Sequence, residues 1–186
     1  MTTAKFKLAK LRLTALLAGT AVCAAAATPL LADTPVKPAQ HFSSPGKRPV
    51  FRQEGTTLSE VAVSAVDSEG RLTLLDEIWH ADFKVPPHFH KEHAETFYVI
   101  SGRIEWTVGG ETRTLKAGDS VHIPPNTVHS VKVLDGKDAH MLMVYNPGGY
   151  EEHMAREEAY TLEQLKDPKL RDELRKLNDF NPADGK

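Results

Sequence analysis

Pro86-Pro87-His88-Phe89-His90-Lys91-Glu92-His93-Ala94-Glu95 sets two histidines two residues apart ahead of Glu95, and Pro124-Pro125-Asn126-Thr127-Val128-His129 brings a third imidazole further on. In an extended strand residues i and i+2 point to the same face, so His88 and His90 can converge on one ion. The spacing suits a strand and not a helix. Glu95 and His129 must then arrive from neighbouring strands, which requires a closed or strongly curved β scaffold. The set His88, His90, Glu95 and His129 therefore reads as a metal site and predicts an all-β fold.

The sequence around this set has the matching pattern. Val61–Val66, Arg71–Trp79 and Thr96–Ile100 are short β-like runs that end at Asp67-Ser68-Glu69-Gly70 or Ser101-Gly102. Ile104, Trp106 and Val108 alternate with polar residues, and Gly109-Gly110 turns the chain into Glu111–Leu115. Further runs lie at Ser120–Ile123, Val128–Val133 and Ala139–Tyr145. Strands at this spacing with no helix between them describe an antiparallel roll, assigned here to residues 49–149. Residues 150–186 read as a helical C-terminal tail. It holds a helix over Tyr150–Ala159, a short one from Thr161, and one after Asp167-Pro168 with Leu170, Leu174 and Leu177 on the face expected to pack against the barrel.

The N-terminus is of a different kind. Lys5, Lys7, Lys10 and Arg12 precede an Ala-rich apolar run from Leu13 to Leu31, so residues 1–32 read as a secretory signal peptide, cleaved after Ala27 or Ala32. Pro29 and the small residues argue against a stable membrane span, and Val22 argues against lipidation of Cys23. A periplasmic or secreted location is expected. Cleavage removes the only cysteine and four basic residues, leaving 19 basic and 25 acidic residues. That balance disfavours nucleic acid and anionic membranes as partners. Residues 33–48, rich in Pro and polar residues, read as a flexible linker or arm.

His88-Phe89-His90 with Glu95 and Gly102, then Gly118, Pro124 and His129, resembles the two motifs of the cupins, and most closely the single-domain cupins similar to quercetin 2,3-dioxygenase. Asp82, Asn126 and Val133 stand where that pattern has Gly, Gly and Asn. The resemblance implies a double-stranded β-helix, or jelly-roll barrel. It also implies one divalent transition metal held by His88, His90, Glu95 and His129, with Glu95 as the catalytic carboxylate. Three imidazoles and a carboxylate suit Fe, Mn, Ni, Co, Cu or Zn, and suit Mg or Ca poorly. The expected ligand is a small molecule, aromatic or enolic, against a wall that includes Phe97, Val99, Ile104, Trp106, Leu142 and Val144.

Several residues keep a plainer reading. His93 reads as an exposed loop residue, His122 as a supporting or surface residue, and Tyr98 as facing away from the metal. His41, His80, His140 and His153 have no partner spacing, and the charges of 151–176 read as solvated helix faces. Residues 33–55 are the candidate segment for a homodimer contact. Three function classes stay open: a metal-dependent dioxygenase, a non-catalytic ligand-binding or sensing cupin, and a lyase, isomerase or decarboxylase on the same ion.

Overall fold

The computed structural model describes residues 41–183 apart from 54 and 162. The expected signal peptide and the first part of the arm, residues 33–40, lie outside the described residues. The strands are β1 (Val50–Gln53), β2 (Thr57–Val63), β3 (Thr73–Trp79), β4 (Lys84–Phe89), β5 (Ala94–Ser101) and β6 (Arg103–Val108). They continue as β7 (Glu111–Lys116), β8 (Ser120–Ile123), β9 (His129–Val133) and β10 (Ala139–Asn146), and a short β11 (Asn181–Pro182) follows two helices, α1 (Tyr150–Glu158) and α2 (Pro168–Leu177).

The strands form two antiparallel sheets, β1-β2-β3-β10-β5-β8 and β11-β4-β9-β6-β7. This is the all-β jelly-roll arrangement with a helical C-terminal tail. Strict alternation decides which side chains enter the core. Thr73, Leu75, Glu77 and Trp79 of β3 point in, as do Glu95, Phe97 and Val99 of β5 and Met141, Met143 and Tyr145 of β10. From the other sheet come His88, Ile104, Trp106, His129, Val131 and Val133. Trp79, Phe97 and Trp106 pack in tilted or edge-on contact, with ring centroids 4.6 to 6.0 Å apart.

Leu142 and Val144, expected on the pocket wall, face outward on β10, and Met141, Met143 and Tyr145 take the inner positions. Met141–Tyr145 are all apolar, so this central run does not show the phase of the alternation, and only the polar ends His140 and Asn146 share the outward parity of Leu142 and Val144. The pairing of β10 with β3 and β5 sets it. In α2 the Leu174 side chain is buried, whereas Leu177 is 67 % exposed and lies off the packed face. Asp167 does cap this helix, accepting from Lys169 N at 2.9 Å, with Pro168 in the first turn. The end of the tail is not helical: β11 pairs with β4.

Residues 41–48, the last part of the expected flexible arm, are fastened to β2. Ser43 Oγ donates to Ala62 O at 2.9 Å, and Arg48 lies 3.9 Å from Glu60 and 3.5 Å from Asp76. The charges of α1 are likewise engaged. Glu151 accepts from Ala65 N at 2.6 Å and from Thr73 Oγ1, and Glu157 accepts from Gln53 Nε2. These contacts seat α1 across one end of the barrel. Among the described residues no helix is long and apolar enough to cross a membrane.

Gly102 and Gly118 separate two kinds of turn glycine. Both have positive φ, 89° and 90°, but a Cβ on Gly102 would lie 2.7 Å from Ala139 Cα, whereas a Cβ on Gly118 meets open space. Gly118→Ala should cost about 1 kcal/mol of backbone strain, and Gly102→Ala at least about 2 kcal/mol because the clash adds to it. Chemical denaturation of the two variants checks the order; equal costs would contradict it.

Candidate metal centre

His88 is aimed inward by an irregularity in β4. Val85 and His88 both face the core although they are three residues apart, and the pairing with β9 shifts register between them. Pro86 and Pro87 occupy the bulge. Having no N–H, they interrupt the ladder without leaving an unpaired donor. Beyond the shift His88 lies directly opposite His129 on β9. His90 follows immediately after the end of β4, and Glu95 enters from β5 in the facing sheet.

All four side chains are buried, each 5 % exposed or less. One ligand atom from each lies within 4.8 Å of the others. Backbone carbonyls decide which nitrogen of each ring points inward. His88 Nδ1 donates to Pro86 O at 2.9 Å and His129 Nδ1 to Thr127 O at 2.9 Å, both to the residue two before. His90 Nδ1 donates to Asp179 O at 2.8 Å, a carbonyl 89 residues away. With Nδ1 carrying the proton, each Nε2 presents a lone pair.

The lone pairs then face a carboxylate. Glu95 oxygens lie 3.0 Å from His129 Nε2 and 3.4 Å from His90 Nε2, yet neither Nε2 has a well-aligned hydrogen-bond partner. Acceptors gathered in a buried site need a positive charge among them. Burial lowers the His88 pKa to about 3, with the neighbouring His129 adding to the effect, so that ring stays neutral. Burial would raise Glu95, but the closeness of the His129 and His90 rings outweighs it and brings the carboxyl down to about 2. Burial works against a charged His90, and the bond and charge of Glu95 still shift it upward. A neutral His88 and an ionised Glu95 are forms that bind a transition metal, and the positive charge that Glu95 draws toward His90 is one an ion would supply, so the residues present fit such an ion.

The loops around the site hold it in place. Asn126, in a left-handed conformation at φ 62°, donates its N–H to His90 O at 2.6 Å and its side-chain amide to Lys91 O at 3.2 Å. Asp82 is also left-handed, at φ 65°. Both residues stand at positions where the family motif has glycine, and both are types that tolerate this backbone.

The cluster lies in a cavity of about 400 Å³ whose walls include Phe97, Trp106, Trp79, Phe83, Val131 and Met143. Of the six expected wall residues, Phe97 and Trp106 line it; Val99 and Ile104 are fully buried core, and Leu142 and Val144 are outside. Trp106 Nε1 is buried without a protein partner, as is Nδ1 of His153, which enters the cavity from α1. Burial brings the His153 pKa down to about 4.

Glu77 is a cavity residue that sequence reasoning missed. It is 3 % exposed and accepts from Ser59 Oγ at 2.6 Å and Trp79 Nε1 at 2.9 Å. Burial raises its carboxyl to about 7, more than those two bonds lower it. The signal was available: in the alternation Thr73, Leu75, Glu77, Trp79, a charged residue stands at an inward position.

The remaining histidines have carboxylate or hydroxyl neighbours. His93 is not a free loop residue: its Nδ1 is 2.9 Å from Asp179 Oδ2, and its ring stacks on Tyr145 at 4.6 Å. His41, His80 and His140 lie beside Asp67, Asp138 and Asp76 at 3.2, 3.1 and 2.6 Å. His122 is a surface residue bonded to Thr96 at 2.8 Å, and Tyr98 faces outward.

The Cupin domain family model matches residues 75–145, a span that includes all four clustered residues. The chain contains a cupin domain. The cupin is 30% identical over 97 residues to a quercetin 2,3-dioxygenase of Bacillus subtilis, covering 52% of this chain and 28% of that protein. It is 37% identical over 79 residues to a quercetin 2,3-dioxygenase of Aspergillus japonicus, covering 39% and 22%. The chain thus spans only about a quarter of the length of these relatives. Among solved structures, KdgF from Halomonas sp. superposes with a TM-score of 0.54 at 20% identity, over 61% of this chain and 99% of that one, which establishes the fold.

Glu77 yields a pH test of the cavity. Its folded pKa of about 7 lies above the ordinary 4.5, so the folded chain binds the extra proton between those values. Its contribution to stability is therefore complete below about pH 4.5 and is lost as pH rises through 7. The unfolding free energy of the wild type minus that of Glu77→Gln should fall by on the order of 2 kcal/mol between about pH 5 and 8. Urea denaturation across that range measures it, and a difference independent of pH would contradict the assignment.

Proposed function

We propose that this cupin is an exported metal-dependent dioxygenase, with residues 1–32 as its export signal, acting on a small aromatic or enolic compound. The observation that carries the reading is the set of three imidazoles and one carboxylate, their ligand atoms within 4.8 Å, beside an aromatic-walled cavity. His88, His90, Glu95 and His129 would hold one divalent transition metal. When bound, such an ion lowers the pKa of an enol or catechol hydroxyl and supplies the Lewis acidity that dioxygen chemistry at this substrate needs. Similarity to two quercetin 2,3-dioxygenases supports this substrate class.

The chain's own residues have separable tasks in this proposal. Trp79, Phe97 and Trp106 present flat apolar faces that orient a planar molecule and exclude water. Glu95, buried among the clustered residues, is the carboxylate placed to accept the hydroxyl proton.

Metal analysis of the exported protein, followed by dioxygen uptake with quercetin and with simpler catechols and enediols, tests the proposal. One transition-metal ion per chain and substrate-dependent uptake are expected. His88→Ala should lose the ion, whereas Glu95→Gln should keep it more weakly and lower uptake by at least about a hundredfold. Full uptake by Glu95→Gln would remove the base role, and ligand binding with no uptake would make the protein a binding cupin.

A further inference from the structure

We infer that Asp179 and Phe180 are positioning residues of the metal site, and that docking of the C-terminal strand governs how tightly the ion is held. The inference rests on the reading that the four-residue cluster binds an ion. Two of the three imidazoles are oriented locally: His88 and His129 donate Nδ1 to carbonyls two residues earlier. His90 has no such local partner; the Asp179 carbonyl at 2.8 Å holds its Nδ1, with Tyr145 Oη a longer second neighbour at 3.2 Å.

The same segment grips the rest of the ligand loop. Phe180 stacks on His88, with ring centroids 4.1 Å apart and planes 11° from parallel, which limits ring rotation. The Asp179 carboxylate accepts from Lys91 N at 3.0 Å and Glu92 N at 2.9 Å, and lies 2.9 Å from His93 Nδ1. One side chain thus engages three consecutive residues of the chain between His90 and Ala94, on top of the Asn126 bonds to His90 O and Lys91 O. Pairing sets Asn181 opposite Phe89 and Pro182 opposite His88, and Ala183 N donates to Pro87 O at 3.0 Å.

Outside the ligand loop the segment has one side-chain tie to α1, where Arg156 Nη1 donates to Asn178 Oδ1 at 2.7 Å. After Leu174 the tail has no buried apolar residue among those described; Asn178 is its one buried side chain. Arg175, over the Phe180 ring at 5.2 Å, is itself part of the tail. The segment is therefore held mainly through the ligand loop, and coupling of this kind is reciprocal. A docked tail raises metal affinity, and a bound ion raises the stability of the docked tail.

The test uses the full chain, a truncation ending at Asn178, Phe180→Ala, Phe180→Tyr, and Leu177→Ala as an exposed control. Zn²⁺ affinity is measured by chelator competition, the visible spectrum is recorded with Co²⁺, and circular dichroism checks that each variant is folded. Truncation is expected to weaken affinity about 10- to 100-fold, the range seen when outer partners of metal ligands are removed. It should also change the Co²⁺ spectrum. Phe180→Ala should follow in the same direction, with Phe180→Tyr restored and Leu177→Ala unchanged. In the full chain Zn²⁺ should slow proteolysis at the tail. Should the truncated chain fail to fold, the Phe180 pair decides. Wild-type affinity and spectrum in Phe180→Ala, or in a folded truncation, would overturn the inference. A full chain that binds neither ion would instead overturn the underlying reading of the site.

Discussion

Three imidazole lone pairs and one carboxylate turned toward the same buried point constitute an unfavourable arrangement unless a cation joins them. All four side chains have left water, and Nε2 of His90 and of His129 has no well-placed hydrogen-bond partner. The surrounding structure resists the obvious relief, which is ring rotation. Backbone carbonyls of Pro86, Thr127 and Asp179 engage the three Nδ1 atoms and leave Nε2 facing inward. The proline bulge in β4, the left-handed Asn126 and the tight Gly102 turn all maintain strand positions on which that orientation depends.

The cavity also separates two carboxyl groups by environment. Glu95 lies against the His129 and His90 rings and is held near pKa 2, whereas Glu77, among aromatic rings with only Ser59 and Trp79 as donors, is raised to about 7. One group is ionised in the free protein and suits a cation. The other can gain or lose a proton near neutrality, and the different surroundings of two like side chains are enough to divide these states. Helix α1 adds a partly buried His153, its pKa lowered to about 4, to the same cavity.

Much of this was legible in the sequence because its signals are local. The i, i+2 spacing of His88 and His90 implies a strand, and alternation through Ile104, Trp106 and Val108 describes a half-buried one. The four clustered residues follow from those patterns and from the two motifs. What could not be read depends on long-range pairing. The phase of β10 is invisible in a run of consecutive apolar residues, which is why Leu142 and Val144 were expected inside. The Asp179–His90 contact joins residues far apart in the chain, and nothing local to Asn178-Asp179-Phe180-Asn181 announces a strand. Glu77 was different: its inward position was implicit in the alternation of β3, but a charged residue there reads at first as the polar face.

The central claim is the direction of the three rings, and locating the ion tests it most directly. Anomalous diffraction at the metal absorption edge, from crystals of the protein loaded with Zn²⁺ or Co²⁺, would give both the position and the donors. The account predicts one ion bonded to Nε2 of His88, His90 and His129 and to a carboxylate oxygen of Glu95, at about 2.0–2.2 Å. An ion bound through Nδ1, or held elsewhere with these four side chains unligated, would contradict it.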